Sequence, residues 1–273
     1  MSPEQRLEIA VDIAKAAGQM ILAARESDDL QHHFKEGQEL VTDTDVAVDT
    51  LICERLDAAF PDEDRLSEEL APDRDAVEQG GALWVVDPID GTVNFAHGLR
   101  HVAVSIAFVQ DGVTQIGVVH APFLEETFTA AKGQGALLNG KPIRPSGTDE
   151  LANSLVATGF PYRRDSRTPL MRRLTAVLSR CRDIRRNGAA ALDLCDVACG
   201  RLDAYYESVS PWDFAAGWLI AAEAGARTGH LYIRPCGLPE DLYGENLLVT
   251  TPDIHDELGD LLRQADAGEL ADL

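Results

Sequence analysis

The residues with the clearest chemical potential lie in the segment Trp84–Asn94, which has the sequence WVVDPIDGTVN. Asp87 and Asp90 stand where a short apolar run ends, and the proline and glycine beside them favour a tight turn. Such a turn directs both carboxylates, and the Ile89 carbonyl between them, towards one point. Oxygen ligands of this kind suit a hard cation such as Mg²⁺. Taken alone, the segment could also be an ordinary turn.

Four further groups could join these carboxylates. Glu68 follows Ser67, and Asp45 ends the sequence VTDTD at the start of a predicted helix. Asp213 follows Trp212 and precedes a helix of small residues, and Lys35 lies ten residues before Asp45. Considered singly, an Asp at a helix start normally caps the helix, and a pair of Glu residues normally lies on a solvent-exposed face. Their combination with the turn favours a metal site.

The elements that must position these groups are helices and strands in mixed order. Helical spacing predicts a helix at 4–26, and Thr42 or Thr44 can cap a second helix that ends before Pro61. Apolar runs predict a buried strand at 83–86 and then an antiparallel meander at 102–109, 114–120, 127–131 and 136–138. Further strands are expected at 155–158, 183–186, 204–207 and 246–250, with helices at 169–179, 189–199 and 212–224 and one starting near Pro252. Loops are expected at 32–39 and 72–81.

Charge restricts the partners. The chain has 46 acidic and 24 basic residues and a formal net charge of −22. Nucleic acids and anionic membranes should therefore repel it. A phosphate ester is also an anion, so a site for one would need bound cations.

The expected location is the reducing cytoplasm. The N-terminus has acidic residues where a secretory signal would have basic ones, and the apolar runs are too short to span a bilayer. The five cysteines form no C-x-x-C pair, and we interpret them as buried free thiols.

Taken together, these motifs resemble the inositol monophosphatase family. The resemblance runs from the first helix to the strand at 246–250 and includes the segments Asn187–Asp193 and Asp203–Glu207. It implies an α+β fold, the layered αβαβα sandwich of the inositol monophosphatase and fructose-1,6-bisphosphatase type. We expect a single domain over 1–273, with a metal-binding α+β half at 1–150 and an α/β substrate half at 151–273.

The resemblance also assigns ligands. It implies that Glu68, Asp87 and the Ile89 carbonyl hold one Mg²⁺ and that Asp87, Asp90 and Asp213 hold a second. A third, weaker ion would lie near Glu68. Two such ions can stabilise the attacking and leaving oxygens of an in-line displacement.

The catalytic residues implied by the resemblance are Glu68, Asp45 and Thr92, the last two as the pair that orients the attacking water. The Gly91 and Thr92 amides would contact the phosphate. The implied substrate-binding residues are Asp90, Gly91, Thr92, Gly188, Ala190 and Glu207.

The implied activity is hydrolysis of inositol 1-phosphate or a related polyol or sugar phosphate by a lithium-sensitive homodimer. Histidinol phosphate, fructose 1,6-bisphosphate and 3′-phosphoadenosine 5′-phosphate remain alternative substrates, and Arg163, Arg164 and Arg167 could serve a second phosphate. A metal-dependent binding or regulatory protein on the same fold is the non-enzymatic alternative.

Three departures from the family pattern concern the site. Ser67 replaces the usual Gly, Glu39 stands where Asp is frequent, and the stretch 207–212 is one residue short. The last of these weakens the substrate assignment more than the chemistry.

Overall fold

The computed structural model describes residues 1–27, 32–35, 39–72, 77, 80–160 and 167–269. The helices are α1 Pro3–Glu26, α2 Asp43–Ala59, α3 Thr92–Ala96, α4 Arg167–Leu178, α5 Ala190–Ala198, α6 Pro211–Ala224 and α7 His255–Ala267. The first strands are β1 His32–Lys35, β2 Glu39–Thr42, β3 Asp64–Ser67, β4 Ala82–Asp90, β5 Ala103–Gln110, β6 Val113–Ala121 and β7 Glu126–Ala131. The remaining strands are β8 Ala136–Leu138, β9 Lys141–Pro142, β10 Leu155–Thr158, β11 Asp183–Arg185, β12 Ala204–Glu207, β13 Arg227–His230 and β14 Leu247–Thr250.

Helices and sheets alternate in five layers. α1 and α2 cover one face of a seven-stranded sheet with the order β3-β4-β5-β6-β7-β8-β9. α5 and α6 pack between the opposite face and a five-stranded sheet with the order β11-β10-β12-β14-β13. α4 and α7 pack on the outer face of the smaller sheet. The predicted αβαβα arrangement is therefore confirmed.

Strand β4 is buried on both faces. Trp84 and Val86 belong to the core beneath α1 and α2, whereas Leu83 and Val85 belong to the core beneath α5 and α6. Because successive side chains of a strand point to opposite faces, a strand between two helical layers has a continuous apolar sequence. The structure extends this strand to Asp90, beyond the predicted end at 86.

Most predicted elements are confirmed within two residues, including α1, α2 and the meander. The prediction of a loop at 32–39 is wrong, because β1 and β2 form an antiparallel hairpin that pairs His32 with Thr42. A polar sequence can form such a hairpin, since the pairing is made by backbone groups. Strands β3, β9 and β13 were not predicted. Most of the predicted loop at 72–81 lies outside the described residues.

The two sheets come from separate stretches of sequence, 64–142 and 155–250. The division into halves at residue 150 stays a prediction. The five cysteines are free thiols, as predicted, but only Cys195 is buried and Cys236 is exposed, so the prediction that they are buried is wrong for most of them. In the described ranges, no helix is long and apolar enough to cross a membrane.

Candidate active site

The end of β4 places two carboxylates at the edge of the large sheet. The pairing of β4 with β5 is irregular between Asp87 and Asp90, and both side chains are buried. Asp87 Oδ1 accepts a hydrogen bond from the Ile89 amide at 2.9 Å. Gly91 follows with φ of 93°, and a Cβ there would lie 2.9 Å from the His101 carbonyl oxygen. The turn therefore requires glycine at this position.

Asp213 completes a carboxylate cluster with these two residues. Ligand oxygens of Asp87, Asp90 and Asp213 all lie within 4.8 Å of one another. Asp213 lies in the first turn of α6, where its Oδ2 accepts a hydrogen bond from the Ser210 amide at 2.7 Å. The cluster thus joins the end of a strand in the large sheet to the start of a helix in the next layer.

Glu68 lies beside this cluster. It directly follows β3, whose Ser67 pairs with Val86 of β4, and its amide donates to the Val86 carbonyl at 3.2 Å. Burial raises the pKa of Asp87 well above its ordinary value, and the charge of Glu68 is the next cause. Asp90 and Asp213 raise the pKa of Asp87 further.

The electrostatics of the cluster fit a bound cation. Burial and the charge of Asp213 raise the pKa of Asp90 well above its ordinary value. Carboxylates held this close repel one another when ionised, and a divalent cation removes the repulsion. An oxygen-only set of donors suits a hard cation.

Asp90 also links the cluster to α5. Its Oδ1 accepts from the Ala190 amide at 3.1 Å, and its Oδ2 accepts from the Ala191 amide at 2.7 Å. These bonds fix the plane of the carboxylate, and each oxygen keeps a second lone pair. The Ala190 amide, predicted to face the substrate, is therefore hydrogen-bonded to Asp90.

Asp45 and Thr92 form a hydrogen-bonded pair. Thr92 Oγ1 donates to Asp45 Oδ1 at 3.0 Å. The other oxygen, Asp45 Oδ2, accepts from the Thr42 amide at 2.8 Å and from Thr42 Oγ1 at 2.5 Å. Asp45 is fully buried, and burial raises its pKa above the ordinary value despite these hydrogen bonds.

Glu207, at the end of β12, is partly buried. Tyr205 Oη donates to Glu207 Oε2 at 2.7 Å. Burial raises the pKa of Glu207 to about 7, although the Tyr205 hydrogen bond and Arg186 act in the opposite direction. Gly159 faces this carboxylate so closely that a Cβ there would overlap it. Gly188 has φ of 86° and packs against Asn94.

Sequence reasoning assigned no role to Asn94, although it lies in the recognised motif. Its Nδ2 donates to the carbonyls of His101 and Asn187, each at 2.8 Å, so it connects the β4 turn to the segment before α5. Thr42 was considered only as a helix cap, and its contact with Asp45 was not predicted. The bond from Asn94 to Asn187 joins residues 93 positions apart and leaves no local pattern. Thr42 and Asp45 are only three residues apart and form a capping box, which the local sequence could have indicated.

A second group of possible ligands, His101, Asp193 and Asp196, has other partners. Asp193 accepts from Asn187 Nδ2 at 2.7 Å, and Asp196 pairs with Arg201 at 3.1 Å. These interactions account for the carboxylates without a cation.

Several known proteins are similar to this chain in sequence and in fold. A family model described as the inositol monophosphatase family matches residues 2–266. Inositol monophosphatase 1 of Solanum lycopersicum is 38% identical, with 96% of each chain covered. The Nus factor SuhB of Escherichia coli K12 is 37% identical over 94% of this chain and 98% of its own.

Solved structures agree. The inositol monophosphatase of Anabaena (Nostoc) sp. PCC 7120 superposes with a TM-score of 0.81 at 35% identity, with 96% of each chain covered. SuhB of Mycobacterium tuberculosis gives 0.78 at 36% identity over 97% of this chain and 98% of its own. With the family matched over almost its whole length, this chain belongs to the inositol monophosphatase family.

Proposed function

We propose that this protein is a Mg²⁺-dependent phosphomonoesterase that hydrolyses inositol 1-phosphate or a related polyol or sugar phosphate. The observation that carries the proposal is the cluster of Asp87, Asp90 and Asp213 in a site that also holds the Thr92–Asp45 pair. The cluster offers oxygen ligands to a cation, and the pair offers a means to orient water. Membership of the family supports a phosphatase.

The proposed ligands are those that the family resemblance implies. Glu68, Asp87 and the Ile89 carbonyl would hold one cation, Asp87, Asp90 and Asp213 a second, and Glu68 a third through waters. When bound, Mg²⁺ neutralises the phosphate ester and lowers the pKa of a coordinated water.

Thr92 and Asp45 would orient that water and accept its proton. Because Thr92 Oγ1 donates its hydrogen to Asp45, its lone pairs are available to accept a hydrogen bond from the water. As the new bond to phosphorus forms and the ester P–O bond breaks, the water proton would pass to Thr92 Oγ1 while the threonine proton would move to Asp45, and the alcohol would leave. The raised pKa of Asp45 makes it a better base for this step. The Gly91 and Thr92 amides would donate to the phosphate.

At the substrate end, we propose that Glu207 accepts hydrogen bonds from polyol hydroxyls. The hydrogen bond from Tyr205 holds one oxygen of the carboxylate and leaves further lone pairs for the substrate. Asp90, Gly188 and Ala190 would complete the surface that faces the alcohol.

The decisive experiment is phosphate release from inositol 1-phosphate, histidinol phosphate, fructose 1,6-bisphosphate and 3′-phosphoadenosine 5′-phosphate. Each ester is measured with Mg²⁺, with chelator, and with the Asp87→Asn variant. Turnover that requires Mg²⁺ and is lost in Asp87→Asn supports the proposal, and the ranking of kcat/KM identifies the substrate class. Folded, Mg²⁺-loaded protein that hydrolyses none of the esters contradicts it.

A regulatory or binding protein on the same fold is the second candidate, because several relatives of similar identity are named Nus factor SuhB. It would be favoured if no ester is hydrolysed while the metal still binds. Of the three arginines proposed for a second phosphate, Arg163 and Arg164 lie outside the described residues and Arg167 begins α4. Lithium inhibition, a homodimer and a cytoplasmic location stay predictions; unchanged hydrolysis in tens of millimolar Li⁺ would contradict the first.

A further inference from the structure

Asp49 is a buried carboxylate with an unusual number of donors. It lies on α2, and its side chain has no exposed surface. Its Oδ2 accepts from Ser67 Oγ at 2.7 Å, from the Leu70 amide at 2.9 Å and from the Glu69 amide at 3.2 Å. Its Oδ1 accepts from the Cys53 thiol at 3.4 Å. Burying a carboxylate is costly, and these hydrogen bonds offset the cost.

Three of the four donors belong to the turn that carries Glu68. Ser67 immediately precedes Glu68, and Glu69 and Leu70 follow it. The same turn is closed by hydrogen bonds from the Ser67 amide to the Ala71 carbonyl at 3.0 Å and from the Ala71 amide to Ser67 Oγ at 3.2 Å. Asp49 therefore holds the turn from the α2 side.

The strand β4 holds the same turn from the other side. The Glu68 amide donates to the Val86 carbonyl, one residue before Asp87. Glu68 is thus fixed between a helix and a strand, at a position where its charge acts directly on Asp87.

We propose that Asp49 is a positioning residue that sets Glu68 against Asp87 and so maintains the affinity of the site for its cation. The inference rests on the proposed metal site. Asp45 lies one helical turn before Asp49, so both carboxylates are on the same side of α2. One rigid helix would then orient both the attacking water, through Asp45, and one side of the metal site, through Asp49.

The test is the Asp49→Asn variant, titrated with Mn²⁺ and followed by the electron paramagnetic resonance of the free ion. Asn keeps the shape of Asp and can place its one oxygen where Oδ2 accepts the three turn donors. It loses the bond from Cys53 and the charge of the carboxylate, and a hydrogen bond to an ionised acceptor is about twice as strong as one to a neutral acceptor, so Asn holds the turn more weakly. We expect the dissociation constant for Mn²⁺ to rise about 10- to 100-fold, the effect typical of losing a partner that orients a ligand. The Mg²⁺ concentration needed for half-maximal hydrolysis should rise in parallel, with kcat restored at saturating Mg²⁺.

Two control variants separate positioning from a general loss of stability. Asp57→Asn removes an exposed carboxylate from the same helix, where it pairs with Arg65. Asp266→Asn breaks the pair with buried Arg173, 2.6 Å away and between α4 and α7. Both should bind Mn²⁺ like the wild type, even though Asp266→Asn lowers the melting temperature.

Ser67→Ala provides an independent test if Asp49→Asn does not fold. Removing this single donor should weaken Mn²⁺ binding in the same direction but less. Where both variants fold, the two substitutions should also be combined. Because both act through one contact, the dissociation constant of the double variant should rise by less than the product of the two single increases. Unchanged Mn²⁺ affinity in folded Asp49→Asn overturns the inference. If Asp49→Asn does not fold, unchanged Mn²⁺ affinity in Ser67→Ala overturns it.

The inference and the proposed function can fail separately. Weakened Mn²⁺ binding in Asp49→Asn, in a protein whose wild type hydrolyses no ester, supports the positioning role and contradicts the phosphatase. Mg²⁺-dependent hydrolysis by the wild type, together with unaltered Mn²⁺ affinity in Asp49→Asn, supports the phosphatase and contradicts the positioning role.

Discussion

The proposed water activation depends on a single hydroxyl group, that of Thr92. Thr92→Val keeps the shape of the side chain and removes the group that would bind the water. We expect kcat to fall on the order of 10²-fold or more, the usual cost of losing one such group. Thr92→Ser keeps the hydroxyl and should retain most of the activity. Mn²⁺ titration should show equal affinity in both variants, and a parallel loss of Mn²⁺ binding in Thr92→Val would contradict this assignment.

Glu207 gives a prediction about pH. Its pKa is raised to about 7 in the folded protein, above the ordinary value of 4.5, so the folded state binds its proton more tightly than the unfolded chain. The stability that follows is present at pH below the unfolded pKa and is lost as pH rises through 7. As pH rises from 5 to 8, the free energy of unfolding of metal-free Glu207→Gln should therefore increase relative to that of the metal-free wild type.

The size of this gain should be on the order of 2 kcal/mol in the free energy of unfolding. Urea unfolding in chelator, repeated across the pH range, measures it. Equal pH profiles for the two proteins would show that burial does not perturb Glu207. In the active enzyme, Glu207→Gln should raise KM for inositol 1-phosphate more than it lowers kcat, since Gln accepts fewer hydrogen bonds.

Among the secondary-structure elements, the start of α2 combines a helix cap with a contact to Asp45, the proposed catalytic carboxylate. Thr42 caps the helix, and its hydroxyl donates to the carboxylate of Asp45. Thr42→Ala should lower the free energy of unfolding by about 1 kcal/mol, the typical cost of losing a cap. It should also lower kcat, because Asp45 loses a donor that fixes its orientation. Thr42→Ser is the matched control; loss of stability with unchanged kcat would show that the hydroxyl acts only as a cap.

The elements themselves differed in how far the sequence could predict them. α1, α2 and the meander have apolar residues at regular spacing, so their existence follows from the pattern. β1, β3 and β13 have the polar sequences HHFK, DRLS and RTGH, so they lack the apolar run that predicted β10 and β14, which are equally short. The same limit applies to the site. Asp87 and Asp90 follow from a local turn, and Thr42 from a local capping box, whereas Asp49 and Asn94 act through contacts that only the fold creates.

At the scale of the whole molecule, the proposed site lies between layers. Asp87 and Asp90 come from the large sheet, whereas Asp213 comes from α6 and the Ala190 amide from α5. This convergence could be anticipated only from the family resemblance, because the segments that carry Asp90 and Ala190 are 100 residues apart in sequence and Asp213 is more distant still. It also explains how a chain with net charge −22 could attract an anionic ester, since cations held at this junction would reverse the local charge.

The same convergence predicts how metal removal changes the stability of the whole fold. Burial and then repulsion between the carboxylates raise the pKa values of Asp87 and Asp90, and both causes make an ionised cluster unfavourable in chelator. Metal-free Asp87→Asn should therefore melt at a higher temperature than the metal-free wild type. Mg²⁺ at 100 times its dissociation constant should raise the free energy of unfolding of the wild type by about 2.7 kcal/mol per site. Asp87→Asn should gain much less. Calorimetry of both proteins with and without Mg²⁺ tests this reversal; a wild type that is more stable than Asp87→Asn in chelator and insensitive to Mg²⁺ would show that the three carboxylates have a structural role instead of a metal-binding one.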